Sequence, residues 1–115
     1  MITKQHQNQS YEHEHIYEEF GISQAAWLNL ARIAHHVEKD GIKAACILPL
    51  SKKPKEGIEI IFQKGNKGYV LSLSAKTGDL YLTFYRNLDR SKAETVIKGS
   101  ISTWKEMGEK MLCLR

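Results

Sequence analysis

Between Ile58 and Tyr85 the side chains alternate with a period of two, broken only by two short glycine turns. Ile58, Ile60 and Phe62 take turns with Glu59, Ile61 and Gln63. After GNKG (Gly65 to Gly68), Tyr69, Leu71 and Leu73 take turns with Val70, Ser72 and Ser74. After KTGD (Lys76 to Asp79), Leu80, Leu82 and Phe84 take turns with Tyr81, Thr83 and Tyr85. A period of two is that of a pleated strand with two unlike faces. Connections this short can only join antiparallel neighbours, because a parallel crossover needs a dozen residues or more. The stretch therefore predicts an antiparallel meander.

Two further strands extend it. Lys43–Leu48 reads as a buried strand closed by Pro49, and a weaker one is expected near Thr95–Lys98, past the polar connection RNLDRSKAE. Between the first two strands lies the basic loop SKKPKEG, residues 51–57.

Upstream of Gly41 the period is 3.6. Ala26, Leu30, Ile33 and Val37 form one stripe, widened by Trp27, Ala31 and Ala34, with Asn29, Arg32, His36 and Asp40 opposite. Ser23 is the natural N-cap, and Ile22 before it can staple onto Trp27. An earlier helix is expected over residues 11–20, capped by Ser10 and stopped by Gly21. A last helix should start from a capping box of Thr103 and Glu106, with Trp104, Met107, Met111 and Leu114 on one face. Gly108 in its middle costs about 1 kcal/mol relative to alanine, so this helix should depend on docking. The expected fold is α+β: a meander of four to five strands with two N-terminal helices and one C-terminal helix packed on one face. Residues 1–9 read as a tail and 10–115 as one domain, without internal repeats.

The stretch YEHEHIYEEF, Tyr11 to Phe20, raises the question of a metal. On a helix His13 and His15 diverge by about 200°, the adjacent His35 and His36 diverge as well by about 100°, and no pair has the four-residue spacing of a zinc-binding helix. No metal or cofactor is expected. Cys46 and Cys113 lack ligand spacing and read as buried free thiols of a reducing, cytoplasmic compartment. No run has the length of a membrane span. No phosphate loop, dinucleotide fingerprint or nucleophile elbow occurs, and no histidine follows position 36 to serve as a base for the serines. GNKG repeats the letters of a KH-type GxxG loop but joins strands, not helices. No catalytic residues are expected.

Charge is uneven. Residues 1–42 carry three basic and six acidic side chains and residues 43–115 fourteen and seven, balances of −3 and +7 that sum to the net +4. With one sheet face covered by helices, the other shows Ile61, Tyr81, Thr83 and Tyr85, with Arg86 and Arg90 at its rim. A mixed aromatic surface of this kind suits a protein partner or self-association. The expectation is a small non-enzymatic binding module, a regulator, inhibitor or adaptor. The alternative is a nucleic-acid binder, with bases on the tyrosines and phosphates on Lys52, Lys53, Lys55, Lys64, Lys67 and Lys76.

Overall fold

The computed structural model describes residues 16–87, 89 and 91–114. Its centre is a five-stranded antiparallel sheet in the order β1-β2-β3-β4-β5, each strand beside its neighbour in sequence. The strands are β1 (Lys43–Pro49), β2 (Gly57–Lys64), β3 (Lys67–Ser74), β4 (Asp79–Tyr85) and β5 (Thr95–Ser100). Two α-helices, α1 (Gln24–Glu38) and α2 (Trp104–Cys113), lie on one face.

Only one α-helix precedes the sheet among the described residues. Where a helix over 11–20 is expected, residues Ile16–Phe20 form a 3-10 turn; residues 11–15 and the Ser10 cap lie outside the described residues. Ile16 and Phe20 are nonetheless buried, and Gly21 follows with φ +73°. An apolar pair four apart suffices to anchor a single tight turn, whereas a helix this short gains little from its own hydrogen bonds.

α1 matches its expected start and stop. Ser23 adopts an extended conformation, and its hydroxyl accepts a hydrogen bond from the Ala26 amide at 3.1 Å. At the other end the Gly41 amide donates to the Glu38 carbonyl and the Ile42 amide to that of Val37, the paired closure of a Schellman motif. Trp27, Leu30, Ile33 and Val37 are buried.

They pack on the sheet's inner face, whose register is set by the alternation. Ile60, Leu71, Leu82 and Ile97 form one row across four strands, and Phe62, Tyr69, Phe84 and Thr95 form the next. Tyr69 and Phe84 meet at 5.1 Å between ring centroids, tilted by 44°. Leu80, Leu82, Phe62 and Ile58 have no exposed surface, and burying side chains of this size contributes about 1.5–3 kcal/mol each.

β1 is an edge strand and not the buried strand expected. Lys43, Ala44 and Ala45 are exposed, and a bulge between Ala44 and Cys46 breaks its register with β2. Small apolar residues read as core in a linear pattern, yet they bury too little area to hold an edge inward.

α2 begins differently from the expected capping box. Residues Ile101–Thr103 form a 3-10 turn capped by Ser100, which accepts from the Ser102 amide. The Thr103 hydroxyl therefore turns back to donate to the Ser100 carbonyl at 2.9 Å, and makes no cap bond to α2. Met107 and Met111 are fully buried, with Trp104 and Leu114 packed against the core. The Tyr69 hydroxyl donates to the Leu114 carbonyl at 3.1 Å and ties the end of α2 to β3.

α1 and α2 run in the same direction and meet in step. Asn29 Nδ2 donates to the Ile101 carbonyl at 3.1 Å, the Arg32 guanidinium lies 5.9 Å from the Trp104 ring centroid, and His36 Nε2 lies 3.0 Å from Glu109 Oε2. Each contact spans 72 or 73 residues of sequence.

Candidate functional site: the uncovered sheet face

Among the described residues, no helix covers the sheet's second face. The register that builds the inner rows also builds outer ones. Cys46, Ile61, Val70, Thr83 and Val96 are cross-strand partners in a single row over all five strands. Beside it run Leu48, Glu59, Ser72, Tyr81 and Lys98. The first row is apolar from edge to edge apart from the Thr83 hydroxyl, and the second is mixed.

Ile61 and Thr83 are half-buried within this face, and Tyr81 stands at 37% exposure. Val70 is buried at the centre of the sheet though it lies outside the core cluster.

Tyr85 departs from expectation. It points to the outer face but is only 8% exposed. Its register partner is Gly68, itself buried. A glycine in a central strand leaves a gap that a neighbouring aromatic ring can fill by lying against the backbone. Tyr85 thus belongs to the sheet's own packing, and its ring is not a free contact surface.

The rim also rearranges. The Arg86 guanidinium pairs with Glu94 at 2.9 Å and lies 5.5 Å from the Phe84 ring centroid, so it braces the β4–β5 connection. Arg90 lies outside the described residues. Val96, at 61% the most exposed large apolar side chain among the described residues, was not among the residues expected on this surface, and neither were Cys46 and Leu48. Strand register places all three there. An alternation count that included β5 would have found Val96.

The cations divide between opposite ends of the sheet. Lys52, Lys53 and Lys55 lie in the exposed loop between β1 and β2, and Lys76 in the β3–β4 turn at the same end pairs with Glu56 at 3.1 Å. Lys64 and Lys67 flank the β2–β3 turn at the other end. One strand length, about 23 Å at 3.3 Å per residue, separates the groups. Glu56 accepts from both Lys76 and the Ser51 hydroxyl, and these bonds hold its carboxyl below the ordinary value of 4.5 against a small opposing effect of desolvation.

Neither cysteine is buried: Cys46 is half-buried on the outer face and Cys113 is exposed at the end of α2, and both are free thiols. His13 and His15 lie outside the described residues. His36 is engaged by Glu109. Among the described residues no three His, Cys, Asp or Glu side chains cluster closely enough to share a metal ion, and no helix is long and apolar enough to cross a membrane.

The chain matches no protein-family model, no curated protein and no solved structure at a significant level.

Proposed function

We propose that the protein is a small cytoplasmic protein-binding module, a regulator, inhibitor or adaptor without chemistry of its own, that engages its partner through the outer sheet face. The row Cys46–Ile61–Val70–Thr83–Val96 is the observation that carries this reading. A solvated antiparallel face ordinarily alternates to polar residues. This one keeps an apolar side chain on four of its five strands, with the Thr83 methyl and the amphipathic Tyr81 on β4 between them. An apolar centre with a polar, charged surround of Glu59, Lys98 and Asp79 has the layout of a non-obligate interface. A second copy of the chain and a different protein are both partners of this chemistry.

The nucleic-acid reading is the weaker of the two. Its phosphate contacts would have to run past the tyrosines, but the lysines sit at two separate ends, Lys76 is already paired, and among the described tyrosines of this face only Tyr81 offers an exposed ring.

The test is the pair Tyr81→Ala and Val96→Ser, combined in one variant. Both side chains are exposed, so folding should persist. The expected result is loss of the partner recovered with the wild-type protein from its native host, or a fall in solution mass if the partner is another copy. A variant that keeps both its partner and its mass would refute the proposal. Retardation of oligonucleotides, weakening steeply with salt, would favour the second reading instead.

A further inference from the structure

The seam between α1 and α2 stays open on its solvent side. Leu28 and Ala31 at one end, Arg32 against Trp104 in the middle, and His35, His36 and Lys39 at the other end line a groove of about 370 Å³. That is within the range of small-ligand sites, a few hundred Å³. Leu28 and Lys39 are eleven residues apart, so the groove follows α1 for about 16 Å. It lies on the helical side of the sheet, away from the face proposed for the partner.

Its chemistry is graded along its length. One end is apolar. Every titratable side chain in the lining is basic, although α1 belongs to the net acidic part of the chain. Among the described residues, the carboxylate paired with this lining is Glu109, which approaches from α2 and is taken up by His36 at 3.0 Å. Arg32, His35 and Lys39 have no carboxylate partner among the described residues.

Arg32 is held in place ahead of any ligand. Its Nη1 donates to Asn29 Oδ1 at 2.7 Å, Asn29 Nδ2 donates in turn to the Ile101 carbonyl, and Trp104 faces the guanidinium. An arginine whose rotamer is already fixed loses less entropy on binding an anion, and its remaining N–H groups keep a fork geometry suited to carboxylate or phosphate. Residues 32, 35 and 39 fall on one side of α1, so the two cations and the His35 imidazole converge along the groove.

We propose that this groove binds a small amphipathic anion, its carboxylate or phosphate head on Arg32, His35 and Lys39 and its apolar body on Leu28, Ala31 and Trp104. The shape requires both parts. A bare anion would leave the apolar end wet, and a neutral apolar molecule would strip water from the Arg32 and Lys39 cations without pairing them.

The test follows backbone amides and the Trp104 indole N–H of the full chain by NMR during titration. The probes are phenyl phosphate and 3-phenylpropionate, with 3-phenylpropanol and inorganic phosphate as controls lacking a head or a body. Saturable shifts at Trp104, Arg32 and His35 are expected from at least one anion at millimolar concentration, with each control about tenfold weaker or worse. Binding of one anion and not the other supports the proposal and identifies the head. Arg32→Gln should weaken binding about tenfold. Lys39→Gln, at a side chain without a hydrogen bond or ion pair among the described residues, should weaken it by a smaller factor. Absence of saturable shifts up to about 20 mM, equal binding of 3-phenylpropanol, or affinity unchanged in both variants would overturn it.

Discussion

The His36 ring rests against Gly108. A Cβ on Gly108 would stand 3.0 Å from His36 Cδ2, so the glycine is the space into which α1's histidine fits. Gly108→Ala would recover about 1 kcal/mol of helix propensity but push the ring away from Glu109. We expect the substitution to add little stability in the wild-type chain, and to add nearly the full amount when His36 is alanine. Urea unfolding of the four variants in this cycle measures the coupling; purely additive effects would show that the histidine does not constrain position 108.

The two outer-face tyrosines should behave oppositely. Tyr85, 8% exposed and paired in register with Gly68, is buried, and Tyr85→Ala should cost about 2–4 kcal/mol as other large-to-small changes at buried sites do. Tyr81, 37% exposed, should lose less than about 1 kcal/mol on the same change. Unfolding curves for the two single variants decide the matter.

Backbone geometry separates two glycines of positive φ. Gly57, at +138°, faces the Leu73 carbonyl and the Leu50 side chain, and any Cβ there collides with backbone. Gly65, at +60°, opens onto free space. Gly65→Ala should cost about 1–2 kcal/mol, the left-handed penalty alone. Gly57→Ala should cost well beyond that, or abolish folding, as read by thermal unfolding.

Glu56 makes part of the stability pH-dependent. Its hydrogen bonds from Lys76 and Ser51 lower its pKa in the folded chain. The stabilisation is therefore complete above the ordinary glutamate value of 4.5 and fades as pH falls through the lowered folded value. Glu56→Gln should reduce the melting temperature near neutrality, and the gap to wild type should shrink in strong acid, where both side chains are neutral. A constant gap would contradict the linkage.

Local chemistry was legible from the residues alone. Ser23 and Gly41 bound α1, and the Gly65–Gly68 and Lys76–Asp79 turns bound three strands, because caps and tight turns are determined by neighbours in sequence. The inner row Ile60–Leu71–Leu82 follows from the same alternation. What escaped depends on partners distant in sequence. Tyr85 looks like a surface residue until β3 puts a glycine beside it. Thr103 and Glu106 have the letters of a capping box, but the turn at Ile101 directs the Thr103 hydroxyl to Ser100. The cost of Gly108 was visible, though its cause sits 72 positions away on α1. Of the candidate surface, Ile61, Thr83 and Tyr81 were identified correctly as outer-face positions, and Val96 was missed because β5 carries a weaker pattern.

The in-step meeting of α1 and α2 bears on how the chain comes apart. Every strand pair closes a connection of nine residues or fewer, while the helix pair must close a loop of 72 or 73 residues, which is entropically far more demanding. Contacts of that span tend to form after the barrier has been crossed. Changes at Asn29, His36 or Trp104 should accordingly hasten unfolding while leaving the refolding rate nearly unaltered. The lifetime of the native state, more than its speed of assembly, is then governed where α1 and α2 touch.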